Sequence, residues 1–382
     1  MKKIIIIISA LLYAFCFLPA GALFAQKQKT ETQTKVFTKN FIVNPKDLVE
    51  VNTNYTKVVF QEWNKNEVDF TTTITLKRST EKEMEKLLES LDLTQKQFGK
   101  RVSYNLSLSY SGKKRGGCNL PDNYEINLLV KVPKDIFLDI TTRYGNVELI
   151  NAHHNFNANI TYGNLLAESL LGSSNKIDIR YGNIDIDNLH GNNNRINIRY
   201  GNFNMRKVSQ LFMEANYAKG NLYEVEKLKL DSKYCTIQFD KINILNLSSC
   251  YDKIYINKHI AEIEGTMKYG TLSIRSLGNS CVFKSFAYSK VNIDEVLESF
   301  TNITFISSYS NILLNIPKNQ SFMFDYQGRY TKFKNDDIKL NDATFRAAES
   351  SFVQMKGLYG KNYNSGKTIK IEASYGSVSL FE

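Results

Sequence analysis

The sequence has little of the material from which most catalytic and metal centres are built. It holds four histidines, five cysteines, one tryptophan and five prolines in 382 residues. The cysteines at Cys16, Cys118, Cys235, Cys250 and Cys281 show no metal-ligand spacing. No glycine-rich phosphate loop, nucleophile elbow, calcium-binding nonapeptide or Walker motif is present. Beyond the N-terminus no apolar run is long enough to span a bilayer as a helix. These absences argue against nucleotide-dependent, metal-dependent and nucleophilic enzymes, so neither a metal nor a cofactor is expected.

What the chain has in abundance is tyrosine at a fixed interval. Tyr144, Tyr162, Tyr181, Tyr200, Tyr217, Tyr234, Tyr251, Tyr269, Tyr288 and Tyr309 follow one another at gaps of about 17 to 21 residues. A period near twenty marks a repeat architecture, in which one unit cannot bury its apolar face alone and stacks on its neighbours. Before the tyrosine, Lys176–Tyr181 and Arg195–Tyr200 alternate apolar and polar residues, the mark of a strand with one buried face. By that alternation Ile177, Ile179 and Tyr181 share a face. After it come a small residue and often Asn, as in Tyr144-Gly145-Asn146 and Tyr200-Gly201-Asn202, where left-handed dihedrals would let the chain turn. A second strand follows, with apolar residues three and five positions past the tyrosine, as in Val147/Leu149, Ile184/Ile186 and Leu272/Ile274. The pattern returns at Tyr375-Gly376-Ser377-Val378, and a weaker copy lies at Val51, Thr53, Tyr55, Val58 and Phe60.

These features predict an all-β fold, a single-stranded parallel β-solenoid of about 18-residue coils with an N-terminal α/β cap. The tyrosines are expected to form an inward aromatic ladder with rungs about 4.8 Å apart, each ring removing about 150–250 Å² from water. The Asn residues after Gly are expected to form a shorter ladder at the corner. An antiparallel up-and-down barrel is the structural rival, but it gives no reason for tyrosine at one phase in ten successive units.

Residues 1–25 read as an export signal: Lys2 and Lys3, an apolar run from Ile4 to about Leu18, then small residues ending at Ala25. Residues 26–134 are expected to form a β-rich cap with one helix, beginning with a disordered segment to about Lys35. Strands are expected near Thr56–Trp63, Glu67–Lys77, Val102–Tyr110 and Tyr124–Val132, with a helix opening at Ser79-Thr80. Residues 135–382 are the repeat domain, with a loop-rich insertion between Gln320 and Lys367 and a last coil that closes the stack.

The formal charge is +11, or +9 once Lys2 and Lys3 leave with the signal. Lys113-Lys114-Arg115 is the one tight basic run, read as a solvated loop or as a contact for an anionic ligand. His153 and His190 occupy the same phase two repeats apart, about 9.6 Å along the axis, too far to share a metal with ligand bonds of about 2.1 Å. Cys235 and Cys250 sit on adjacent repeats but offset along the strand, beyond disulfide reach, and are expected to be free thiols. Asp185 and Asp187 share an outward face and are the best candidates for paired catalytic carboxylates, although solvated surface acids are commoner.

The Tyr-Gly-Asn-apolar-x-apolar units, the closing Tyr-Gly-Ser-Val-Ser-Leu and the stretch Asn54–Val68 resemble an exported bacterial putative-adhesin family of β-solenoid domains, of the auto-transporter-like adhesin head type. That resemblance implies an envelope or surface location and no established activity, so it supplies no catalytic residues. The expected function is a non-enzymatic surface or periplasmic binding module for glycan or envelope-protein partners. A self-associating envelope scaffold is the alternative, and a carbohydrate-active enzyme a more distant one. Nucleic acid is not expected as a partner of an exported chain, nor is a membrane span after signal removal.

Overall fold

A computed structural model describes residues 31–108, 123–316, 320–335, 340–348, 351–362 and 365–381. The export signal and the basic run Lys113-Lys114-Arg115 lie outside the described residues. The protein is all-β: 25 strands form one continuous sheet, and one helix, Glu81–Glu89, is found among the described residues.

Pairing is parallel through the repeat region. Phe156–Thr161 lies between Phe137–Arg143 and Lys176–Arg180, so that Ile140, Ala158, Ile177 and Ile196 occupy successive rungs of one ladder. A second ladder stacks Leu149, Ala167, Ile186 and Met205 in the same way. Inward side chains of both ladders are buried, and they form one core running from Val43 to Leu380. Each buried aliphatic side chain contributes roughly 1.5–3 kcal/mol, and because every rung repeats the same phase the core is continuous rather than domain-sized.

The tyrosines depart from the inward orientation that strand alternation predicts. All ten, together with Tyr55, Tyr330 and Tyr375, have positive φ, between 50° and 60°. A left-handed residue reverses the alternation. Ile177 and Ile179 point into the core, Arg180 and Tyr181 both point outward, and Gly182 then takes the inward place. The rings therefore lie outside the core, 39–59% exposed.

The glycines that follow are not the left-handed residues; they are required by close approach. A Cβ on Gly182 would sit 1.8 Å from the carbonyl oxygen of Gly163, and one on Gly163 1.9 Å from that of Gly145. Where Ala218, Cys235 and Asp252 replace glycine, the preceding tyrosines Tyr217, Tyr234 and Tyr251 keep φ of 51°, 56° and 60°, so the corner is retained.

At the N-terminal end, Leu48–Asn54 and Lys57–Trp63 supply the first parallel rungs, pairing with Phe137–Arg143 and Val147–Ala152. Beyond them Arg101–Leu108 and Tyr124–Pro133 add parallel strands, and Leu91–Phe98 and Glu67–Ser79 pair antiparallel on those. The expected helix forms with a capping box, Thr80 and Glu83 bonding each other's backbone N–H, and buries Met84 and Leu87. Part of the segment expected to be disordered is instead strand: Glu31–Ile42 pairs antiparallel with Glu67–Ser79. Backbone pairing orders a polar stretch that composition alone would leave free.

The region expected to be loop-rich is also corrected. Phe322–Asn335, Leu340–Ala348 and Phe352–Tyr359 are strands; Phe352–Tyr359 pairs antiparallel with Phe322–Asn335, and Leu340–Ala348 pairs antiparallel with Phe352–Tyr359. The final strand, Thr368–Phe381, does not close the stack. It enters between Asn302–Ser308/Asn311–Asn315 on one side and Phe322–Asn335 on the other.

Two substitutions separate strain from stacking. Tyr181→Ala loses both ring contacts and keeps an unfavourable left-handed residue, whereas Tyr181→Gly loses the same contacts but relieves about 1 kcal/mol of backbone cost. In urea unfolding Tyr181→Gly is expected to be the more stable of the two. Gly182→Ala is expected to cost about 2–3 kcal/mol by overpacking against Gly163.

Candidate functional site

The outward tyrosines stack into one ladder of thirteen rings, ordered Tyr55, Tyr144 to Tyr309 in sequence, then Tyr375 and Tyr330. Adjacent centroids are 4.8–5.2 Å apart and interplanar angles run from 1° to 15°. Each ring between the two end rings, Tyr55 and Tyr330, is stacked on both faces, so the ladder shows mainly edges and hydroxyls to solvent. It cannot offer sugar-stacking platforms along its length; it offers a line of phenolic groups at strand spacing. The Tyr251 phenol is pushed above its ordinary pKa by desolvation and by the phenols of Tyr269 and Tyr234 on either side.

Beside the first rings runs the expected asparagine ladder. The Oδ1 of Asn146 accepts from the backbone N and Nδ2 of Asn164, both at 3.0 Å. Asn183 repeats this on Asn164, and Asn202 on Asn183. Tyrosines on one side, these asparagines on the other and Gly163, Gly182 and Gly201 beneath enclose a shallow open channel of about 430 Å³.

The positions that flank the tyrosines on the surface are those one before and two after. One before stand Arg143, Arg180, Arg199, Lys233, Lys268 and Arg329; two after stand Lys57, Lys219, Lys253, Lys290 and Lys332. Neither column contains an Asp or Glu on any of the thirteen rungs. Arg143 and Lys233 lie over their own tyrosine rings, at 5.0 and 5.3 Å from the centroids. The strip is thus hydroxyl-tipped, flanked by cations and free of carboxylate in its two bordering columns. The alternation reading placed the tyrosines inside and so missed it. The flanking Lys and Arg were legible in sequence, but they bear on one another only once the rings are known to face outward.

The other candidates are engaged elsewhere. Asp187 pairs with Arg206 at 2.7 Å, and Asp185 accepts from Asn204 at 3.1 Å. His153 bonds Glu62 and His154 bonds Asp135. Cys235, Cys250 and Cys281 are free thiols, with Cys235 and Cys281 buried; burial pushes the Cys235 thiol up to about 11, away from reactivity at neutral pH. No cluster of three His, Cys, Asp or Glu able to hold a metal exists among the described residues.

Beneath the strip lies a buried carboxyl. Asp252 accepts from the hydroxyls of Ser232 and Ser249, each at 2.7 Å, and from the backbone N–H groups of Cys235 and Cys250. Burial raises its pKa, and these four donors offset that only in part.

No protein-family model matches the chain, and no curated protein does. Among solved structures it is similar to a putative cell adhesion protein of Clostridium sporogenes, at 11% identity over 91% of this chain and 99% of that one, TM-score 0.18. A putative adhesin of Bacteroides fragilis matches at 11% identity over 69% of this chain and 97% of that one, TM-score 0.27. A putative lipid binding protein of Parabacteroides distasonis matches at 12% identity over 71% and 97%, TM-score 0.24. All three are named as adhesion or binding proteins.

Because the folded pKa of Asp252 lies above its unfolded value, its contribution to stability is complete below the unfolded pKa and drains away as pH rises through the folded one. Wild type is expected to lose stability relative to Asp252→Asn as pH rises above about 4, the ordinary aspartate value; unfolding free energies measured at increasing pH give the difference. Asp252→Ala, which strands two hydroxyls and two N–H groups, is expected to cost about 2–3 kcal/mol.

Proposed function

We propose that this chain is an exported, non-enzymatic binding module at the cell surface, a single-chain β-solenoid of about 18-residue coils whose tyrosine-edged strip holds an extended glycan or protein partner. The solenoid reading rests on parallel registers that advance by one repeat per rung in both ladders. The binding reading rests on one observation above all: thirteen rungs of exposed, stacked tyrosine bordered by basic side chains and by no carboxylate.

An uninterrupted strip of this length suits a partner that is itself long and regular. Phenolic hydroxyls and amide ladders recognise polar, repeating ligands through many weak contacts, and their affinity comes from multiplicity. A catalytic pocket is a different object, a concave site with a few convergent groups of perturbed pKa. The acids considered for catalysis are instead tied to surface partners, so sugar cleavage is not expected. The antiparallel strands at both ends interrupt the parallel ladder, which favours a free-standing module over an end-to-end scaffold.

Protease treatment of sealed cells followed by blotting tests the location, with loss of the mature chain expected and full protection placing it inside the envelope. Binding is tested by blocking the strip. In a Cys118→Ser/Cys250→Ser background, a bulky maleimide on Asn183→Cys is expected to lower capture of glycan or envelope-protein ligands at least about tenfold. The same label on Glu264→Cys, away from the strip, should leave capture unchanged. Equal binding by both labelled proteins would remove the strip as the binding surface.

A further inference from the structure

Between Tyr217 and Tyr288 the strip changes character, and its cations fall into a pattern. On the side two residues after the tyrosine, paired positions on successive rungs read Lys219, Thr236, Lys253, Thr271 and Lys290. On the side one residue before it, they read Lys233, Cys250, Lys268 and Ala287, beginning one rung later. The two columns are out of phase. Five successive rungs each carry one lysine, and it alternates from one side of the tyrosine ladder to the other. Rungs are 4.8–4.9 Å apart here, so lysines on one side recur every second rung. The intervening residues are small, which leaves each ammonium room. All five lysines are exposed, and none appears in an ion pair among the described residues. Of the carboxylates in the next column outward on these rungs, Glu214 is bound to Arg195 and Asp231 stands beyond Lys233.

We infer that this segment is the binding site for a linear acidic polysaccharide of the β-1,4-linked uronate class. The inference rests on the strip being the ligand surface and specifies what it binds. A β-1,4-linked pyranose chain in its two-fold ribbon advances about one rung per sugar and turns successive carboxylates to opposite edges. Laid along the tyrosines, it presents each carboxylate to the lysine on its own side, while the phenolic hydroxyls bond ring and hydroxyl oxygens between. Lysine is suited to this as a mobile point charge that tolerates small differences between sugar rise and rung spacing. A neutral glycan lacks the charges, and a polyanion with all its charges on one side would engage one column only. A fluid anionic membrane has no phase and would not distinguish the alternating arrangement from any other with the same charge.

The experiment moves charge across the ladder without changing it. Lys233→Gln/Thr236→Lys and Lys268→Gln/Thr271→Lys, combined, place all five lysines on one side at the same rungs. Binding of poly-β-1,4-mannuronate oligomers is measured by calorimetry alongside neutral cello-oligosaccharides and phosphatidylglycerol vesicles. Melting curves establish that each variant is folded. Wild type is expected to bind the mannuronate, more weakly in high salt. The charge-conserving variant should bind it about four- to twenty-five-fold more weakly, as much as Lys233→Gln/Lys268→Gln does, at about two- to five-fold per misplaced lysine.

Equal mannuronate affinity in wild type and the rearranged variant would overturn the inference, as would preferential binding to vesicles that the rearrangement leaves unchanged. Binding of the neutral oligosaccharide alone, abolished by the label at Asn183→Cys, would overturn the uronate assignment while leaving the strip as the binding surface. Absence of binding to every probe, with the Asn183→Cys label also without effect on capture of envelope ligands, would overturn both.

Discussion

The left-handed tyrosine is the constraint on which the rest of the structure depends. A non-glycine residue at φ near +55° costs roughly 1–2 kcal/mol, and this chain accepts it on thirteen rungs. The thirteen rings form twelve stacked pairs, contributing about 0.5–1.5 kcal/mol per pair, so strain and stacking come close to offsetting one another. The gain lies in what the turn allows. It reverses strand alternation at one point per repeat, swings the chain from the first ladder to the second, and passes the inward position to a residue small enough for neighbouring rungs to close up. In the Gly145–Gly201 block that residue is glycine because carbonyl oxygens would stand about 2 Å from any added Cβ.

Once the turn recurs at a fixed place, every other position becomes a column. Apolar columns merge into a continuous core, asparagines bond along their own column, and Asp252 finds two serines and two backbone N–H groups from adjacent rungs. Columns also fix how substitutions act, because a side chain's main neighbours lie one repeat away rather than one residue away. The C-terminal strand is the exception to sequential stacking. Its place between strands that precede it requires Phe322–Asn335 to leave a gap one strand wide, so a later strand fills the interior of the ladder and Phe322–Asn335 lies outside it.

The same geometry explains why the candidate site is a line. Stacked rings hide their faces, which removes the usual aromatic platform for single sugars. What remains is a repeating edge of hydroxyls with cations beside it, and a repeating edge selects by period and by side. Small pockets elsewhere, such as the hollow by Arg206, Tyr223 and Lys258, have much of their charge already paired, Arg206 with Asp187 and Lys258 with Asp240.

Much of this was determined by the sequence alone. The tyrosine interval and the apolar residues three and five places later are local patterns, readable because each repeat buries the same positions. The helix at Glu81–Glu89 was legible from the cap-forming Ser79-Thr80 ahead of it, a signal local to the segment itself. The tertiary structure decided what local pattern cannot express. Alternation places Tyr181 inside, and only its left-handed backbone, with the ring stacked on Tyr162 and Tyr200 across the rungs, turns it outward. Glu31–Ile42, Phe322–Asn335, Leu340–Ala348 and Phe352–Tyr359 look polar or irregular until a partner strand supplies their hydrogen bonds. The lysines at 219, 233, 253, 268 and 290 are scattered in sequence, and become an alternating row only when the registers set them on consecutive rungs, since side and phase are properties of pairing between strands.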